Sequence, residues 1–355
     1  MLFRSGTGSL TVQNSVILTT GGTNEMFTLN ISTTTFNNNY LNDASSDRIF
    51  SQTSTSGSLS TTIIYNKILS PTGSNIYRTT KDHIILDINY NNFTTGNNVI
   101  VISTNGLNYP FNFKYNTGNI GYISILNGTG NVVISNNIVS NNNANVMINT
   151  TSRNLTVTNN KLTVNGSAGY VNCLSAAPIT AIINNNRLIS NGLDNQVTIG
   201  NGSDTPLTIS GEYKYNYMES TNYTANQHGI QVYSGGAFEI AYNFTKNIGF
   251  PYILKGNSQD CTTSSIHSNV YLNGYIILKG VENANVYNNT CYNDGSILIG
   301  GTADMPCIDV LINVTGTANN NIIKNNIFYS NVSSSSIYGV INVEQIGIIL
   351  TSDNN

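Results

Sequence analysis

Short apolar runs with a polar pair set in their middle recur along this chain. V-V-I-S-N-N-I-V at 132–139 and L-T-V-T-N-N-K-L at 155–162 are two occurrences. On either side of the asparagines the apolar residues alternate with polar ones, the period-two signature of a strand with one buried face. Written as an apolar residue, any residue, then Asn, Tyr or Ser, then Asn, the motif recurs as INYN, FKYN, ISNN, VTNN, INNN, YKYN, IAYN, IHSN, VYNN and IKNN. Its closing residues are Asn91, Asn116, Asn137, Asn160, Asn186, Asn216, Asn243, Asn269, Asn289 and Asn326, at successive gaps of 25, 21, 23, 26, 30, 27, 26, 20 and 37. Degenerate forms, V-Q-N-S at 12–15 and I-Y-N-K at 64–67, carry the pattern towards the start.

A period near 25 residues defines a repeat architecture. A leucine-rich repeat needs a fixed leucine ladder, whereas the runs here use Ile, Val, Tyr or Phe and are bounded by Gly and Asn, which reads as strands and turns. Three short strands per unit, wound into a coil that stacks on the next at about 4.8 Å, make an all-β, single-stranded, right-handed parallel β-helix. The length predicts about 12–14 coils in a single domain spanning 1–355: less regular coils over 1–60, regular coils over 61–338 and a terminal strand over 339–355. The asparagine pair then has a physical reason. Between two strands the path bends within one or two residues, one of which enters the left-handed region that Asn tolerates better than any residue but Gly. At the same place in every coil, the carboxamide can donate to one neighbour and accept from the other, forming an asparagine ladder. Tyr90, Tyr115, Tyr215 and Tyr242, one position earlier, are placed to stack beside it.

The motif and its spacing resemble the parallel β-helix repeat of the pectin-lyase-like superfamily, whose members include pectate lyases, polygalacturonases, bacteriophage tailspikes and surface adhesins. The resemblance covers nearly the whole chain. It implies the fold, and it leaves open lyases, hydrolases, adhesins and structural rods.

Composition narrows this. Asparagine is roughly a sixth of the chain, tryptophan is absent and 9% of residues are charged. With 14 Lys plus Arg spread thinly and a net charge of -3, there is no basic stripe for nucleic acid. No apolar stretch is long enough to insert in a membrane as a helix, and the N-terminus lacks a signal-peptide core. Cys173, Cys261, Cys291 and Cys307 show no metal-ligand spacing and read as buried thiols, with a disulfide between Cys261 and Cys291 left open. Neither metal nor cofactor is expected.

The register of the repeat places candidate chemistry. Glu212 and Glu239 fall at one outward position on successive coils, and Lys214 and His267 at the next outward position, with Glu219 and Asp260 in the neighbourhood. Two adjacent carboxylates would repel and raise one pKa, the requirement for an acid and a base made from like residues. Q-H-G-I at 227–230 is similar to the G-H-G-I stretch of polygalacturonases, which adds His228 to Glu212 and Glu239 as catalytic candidates, although the aspartate pair, N-T-D and R-I-K of that family are missing. Glycan contacts are expected from Lys214, His267, Tyr287 and, on the longer insertions at 201–206 and 300–307, from Asp204 and Asp304. An ice-binding array would need threonines in register, and the pair Thr156/Thr158 does not recur. The function expected is a structural or adhesive element of a virion or extracellular surface, with a polysaccharide depolymerase as the alternative. Its expected partners are a cell-surface glycan, surface or virion proteins that cap the ends, and further copies of the chain, as in a trimer.

Overall fold

The computed structural model describes residues 2–19, 26–43, 48–52, 58–70, 75–79, 84–95, 99–102, 110–125, 130–142, 146–152, 154–165, 169–174, 178–191, 197–200, 208–221, 227–233, 236–260, 264–294, 306–311, 320–330 and 341–343. Among them every regular element is a β-strand, and the strands pair in parallel from one coil to the next. The fold is a parallel β-solenoid. Two compact units, Met1–Gly166 and Ser167–Asn355, are built on this plan.

In the first unit, Tyr122–Ile125, Asn131–Ser135 and Ile138–Asn141 form one coil, and Ile148–Thr150, Asn154–Thr158 and Lys161–Val164 form the next. Ile123 faces Ile148, Ile134 faces Val157 and Val139 faces Leu162. Each coil therefore adds one strand to each of three stacks. The alternation read from the sequence becomes alternation of burial: Phe111, Val132 and Leu155 lie in one inward row, and Phe113, Ile134 and Val157 in the next. Burying each such side chain contributes about 1.5–3 kcal/mol, and identical registers let one row serve every coil.

In the second unit, His228–Tyr233, Phe238–Ala241 and Phe244–Lys246 are followed by Phe250–Asp260, Ser265–His267 and Val270–Leu272. Its middle stack buries Ile183, Tyr213, Ile240, Ile266, Val286 and Ile323 in a single register row. Ile341–Val343 pairs with Ile308–Leu311, so strand pairing reaches into the stretch expected to form the terminal strand.

All ten predicted ladder asparagines are buried. In the first unit Asn39, Asn66, Asn91, Asn116 and Asn137 each donate from Nδ2 to Oδ1 of the next, ending on Asn160, at 2.9–3.2 Å. The second unit repeats this from Asn186 through Asn216, Asn243, Asn269 and Asn289 to Asn326, at 2.9–3.1 Å. From Asn66 to Asn160 and from Asn216 to Asn326, each ladder Oδ1 also accepts the backbone N–H of the ladder asparagine one coil earlier, as Asn116 Oδ1 does from Asn91 at 2.9 Å.

One expectation is corrected. The bend and the ladder are made by different residues. The left-handed conformation falls on the residue before each ladder asparagine: Asn38, Tyr65, Tyr90, Tyr115, Asn136, Asn159, Asn185, Tyr215, Tyr242, Ser268, Asn288 and Asn325, at φ of 54–59°. The ladder asparagine turns inward and spends its whole amide on bonding. The ladder also starts earlier than expected, at Asn39 in F-N-N-N, 36–39, within the segment read as less regular.

Candidate functional site

The predicted charged patch forms on the outer face of the second unit's middle stack. Glu212 on Ile209–Lys214 lies directly opposite Glu239 on Phe238–Ala241. The adjoining outward row runs Asn184, Lys214, Ala241, His267, Tyr287 and Lys324. Gly211 lets the Glu212 strand sit tightly on its neighbour. Its φ is +131°, and a Cβ there would stand 1.9 Å from the Ala181 carbonyl oxygen, which L side chains do not permit.

Lys214 reaches both carboxylates, with Nζ 2.9 Å from Glu212 Oε2 and 2.7 Å from Glu239 Oε2. Asn184 Nδ2 donates to Glu212 Oε1. From the opposite side, His267 Nε2 lies 2.9 Å from Glu239 Oε1. An ionised carboxylate only accepts, so Nε2 carries the proton of this bond. Lys214 and His267 thus converge on Glu239 across the coil between them. They close over Ala241, which faces outward in register yet is fully buried. A larger residue there would hold the two arms apart. The His267 ring stacks on Tyr287, centroids 4.6 Å apart and 9° from parallel, and meets the edge of Tyr242 at 5.5 Å. Lys324 Nζ lies 6.0 Å from the Tyr287 ring centre. Beside it a groove of about 570 Å³ is bounded by Ser265, Asn285, Tyr287, Asn288, Lys324 and Asn325.

The electrostatics differ from those expected of two neighbouring carboxylates. Both Glu212 and Glu239 are held below the ordinary glutamate range, chiefly by the hydrogen bond from Lys214, which outweighs burial and their mutual repulsion. Lys214 is pushed up by its bonds to Glu239 and Glu212. Neither carboxyl is raised into the range of a general acid. As it stands, Lys214 bridges the two carboxylates and so ties neighbouring coils together.

The other candidates are dispersed. His228 lies on His228–Tyr233, in a different stack of strands from Glu212 and Glu239, with its ring 5.2 Å from that of Phe250. Gly229 beside it has a packing reason, since a Cβ would approach the Pro251 carbonyl oxygen to 2.2 Å. Glu219 belongs to a separate network on the next stack, accepting from Tyr217 Oη at 2.6 Å and pairing with Lys246 at 3.2 Å. Asp204, Asp304, Cys261 and the side chain of Asp260 lie outside the described residues. Among the described residues no group of three or more His, Cys, Asp and Glu is placed to hold a metal ion.

Two further features were not read from the sequence. Cys291 and Cys307 form a disulfide, correcting the expectation of buried thiols for that pair, while Cys173 is a buried free thiol. The tyrosines divide between core and surface. Tyr77, Tyr170, Tyr213, Tyr252 and Tyr271 are fully buried, and the bend tyrosines stack on one another.

The fold and patch together define a parallel β-solenoid with an asparagine ladder and an ion-paired outer face. Comparison with family models, curated proteins and solved structures finds no match to this chain.

Proposed function

We propose that the protein is a structural or adhesive β-helical element of a virion or extracellular surface that binds host glycans through its outer faces. The observation that carries this reading is the state of the charged patch that the register assembles around Lys214. Its carboxylates are both held below the ordinary glutamate range by Lys214 and both tied to it, an arrangement suited to a rigid display surface. The groove beside Tyr287 supports glycan contact, because it combines one ring, an ammonium, a hydroxyl and several carboxamides, the mix of apolar face and hydrogen-bonding groups that saccharides require. The Cys291–Cys307 disulfide supports an oxidising, extracellular setting.

The alternative is a polysaccharide depolymerase acting through Glu212 and Glu239, favoured only by their juxtaposition. One experiment separates the two. The protein is incubated with capsular and pectin-type polymers, and both retention on immobilised polymer and release of reducing ends or unsaturated products are measured. Retention without product, weakened in Lys324→Ala, is expected. Product formation abolished in Glu212→Gln or Glu239→Gln would replace the adhesive reading with the enzymatic one, and no retention on any polymer would remove both.

A further inference from the structure

The left-handed bend carries tyrosine at five of its described positions, where asparagine or glycine would sit with less strain. Holding a non-glycine residue there costs about 1–2 kcal/mol, and an aromatic pair returns about 0.5–1.5 kcal/mol, so a lone tyrosine at the bend would be a net loss. None is alone. Tyr65, Tyr90 and Tyr115 occupy three successive coils of the first unit, with ring centroids 4.9 and 4.6 Å apart and planes 19° and 2° from parallel. Tyr215 and Tyr242 occupy successive coils of the second unit, 5.1 Å apart and 6° from parallel. All five are exposed, at 45–56%. Their backbones are clamped to adjacent coils, as by the bonds from Tyr90 N to Lys114 O and from Tyr115 N to Ser135 O. The rings are therefore held side by side while open to a reagent.

We propose that these stacks are sites of oxidative tyrosine coupling, in which a one-electron oxidant of the peroxidase and hydrogen peroxide class joins neighbouring phenols into dityrosine and so fastens adjacent coils covalently. Each phenol gives up one electron and one proton. The two phenoxyl radicals form one carbon–carbon bond between ring positions ortho to oxygen, and the hydrogens at those carbons move to the oxygens as the rings regain aromaticity. Overall two phenols lose one hydrogen atom each, and one peroxide is reduced to two waters. Coupling within a stack outcompetes coupling between molecules, because the partner ring is already in contact and no diffusional encounter is needed. The proposal is independent of the glycan reading.

The test uses dilute full-length protein treated with a heme peroxidase and hydrogen peroxide, followed by dityrosine fluorescence and tryptic peptide mass mapping. Lys67, Lys81 and Lys114 separate Tyr65, Tyr90 and Tyr115 into different peptides, so each first-unit coupling appears as a linked pair lighter by two hydrogens; Tyr215 and Tyr242 share the peptide 215–246, where coupling appears as a loop lighter by two hydrogens and is located by fragmentation. The expected result is monomeric protein with Tyr65–Tyr90 or Tyr90–Tyr115 links in the first unit and a Tyr215–Tyr242 link in the second. Tyr90→Phe preserves ring stacking but cannot form a phenoxyl; it should abolish the first-unit links while the Tyr215–Tyr242 link persists as proof of folding and of oxidant activity. Dityrosine that is absent, intermolecular, or spread over unstacked tyrosines as often as stacked ones would overturn the proposal, as would first-unit links surviving Tyr90→Phe.

Discussion

Removing one rung of the ladder tests the force that the fold depends on most directly. Asn116 is fully buried. Its Nδ2 donates to Ile88 O at 2.8 Å and to Asn137 Oδ1 at 3.2 Å, and its Oδ1 accepts from Asn91 N at 2.9 Å and Asn91 Nδ2 at 3.1 Å. Asn116→Ala removes all four. Asn91 Nδ2 keeps Ile63 O and Asn89 O, and Asn137 Oδ1 keeps the Asn116 backbone N–H, so these groups are cushioned. The Asn91 N–H is not, and it is left buried. At about 1 kcal/mol net per bond, with about 1–3 kcal/mol for an orphaned buried donor included in that loss, the substitution should destabilise by about 3–4 kcal/mol. Stacked repeats need not unfold in one step, so hydrogen exchange is the decisive assay. Protection of the amides around 88–91 should fall by about 10²–10³-fold, 1.4 kcal/mol being a factor of ten. Asn131→Ala, an exposed asparagine one strand away, should change stability by less than about 0.5 kcal/mol. Equal effects from the two variants, or an unchanged Asn91 amide, would show that the ladder only decorates a fold held by its apolar rows.

Two other outcomes follow from named contacts. Reducing the Cys291–Cys307 disulfide, which spans 16 residues, should lower the second unit's stability by about 3 kcal/mol through the freed loop entropy, while hydrogen exchange in the first unit stays unchanged; exchange that rises equally in both units would contradict this. Because Glu212 and Glu239 have depressed folded pKa values, their stabilising contribution is present above the ordinary glutamate value of about 4.3 and is lost as pH falls through the lowered folded values; Lys214→Met should therefore flatten the decline of the urea midpoint below that pH, and an equally steep decline in both proteins would refute the network.

The architecture was legible because a solenoid writes its geometry as a period. The ladder asparagines, the inward rows and the outward pairing of Glu212 with Glu239 all follow from spacing alone, since each coil must meet its neighbour in register. Besides the Cys291–Cys307 disulfide, three things escaped. The first ladder residue, Asn39, sits in a run of asparagines whose register is ambiguous without coordinates. The bend could not be assigned between its two residues, because asparagine suits both the left-handed conformation and the ladder; only the tyrosines at the earlier position, whose φ values are positive, separate the roles. The electrostatics of the patch depend on where a flexible lysine ends. Register placed Lys214 beside Glu212, but its reach to Glu239 is set by side-chain geometry and by the small Ala241 beneath it.

The last of these has a cause that bears on function. Inside the coils, hydrogen bonding and packing repeat with the same partners, so one coil predicts the next and little variation is tolerated. Outward side chains answer only to their immediate neighbours across about 4.8 Å, and there the second unit departs from repetition. Lys214, Ala241 and His267 occupy one row with three unlike residues, yet they make a single connected network through Glu239. Such a network constrains several coils at once, so substituting Ala241 with a larger residue would disturb Lys214 and His267 together without touching the ladder. Specific recognition in this fold must reside in such aperiodic outward sets, because the periodic interior has no means of distinguishing one coil from another.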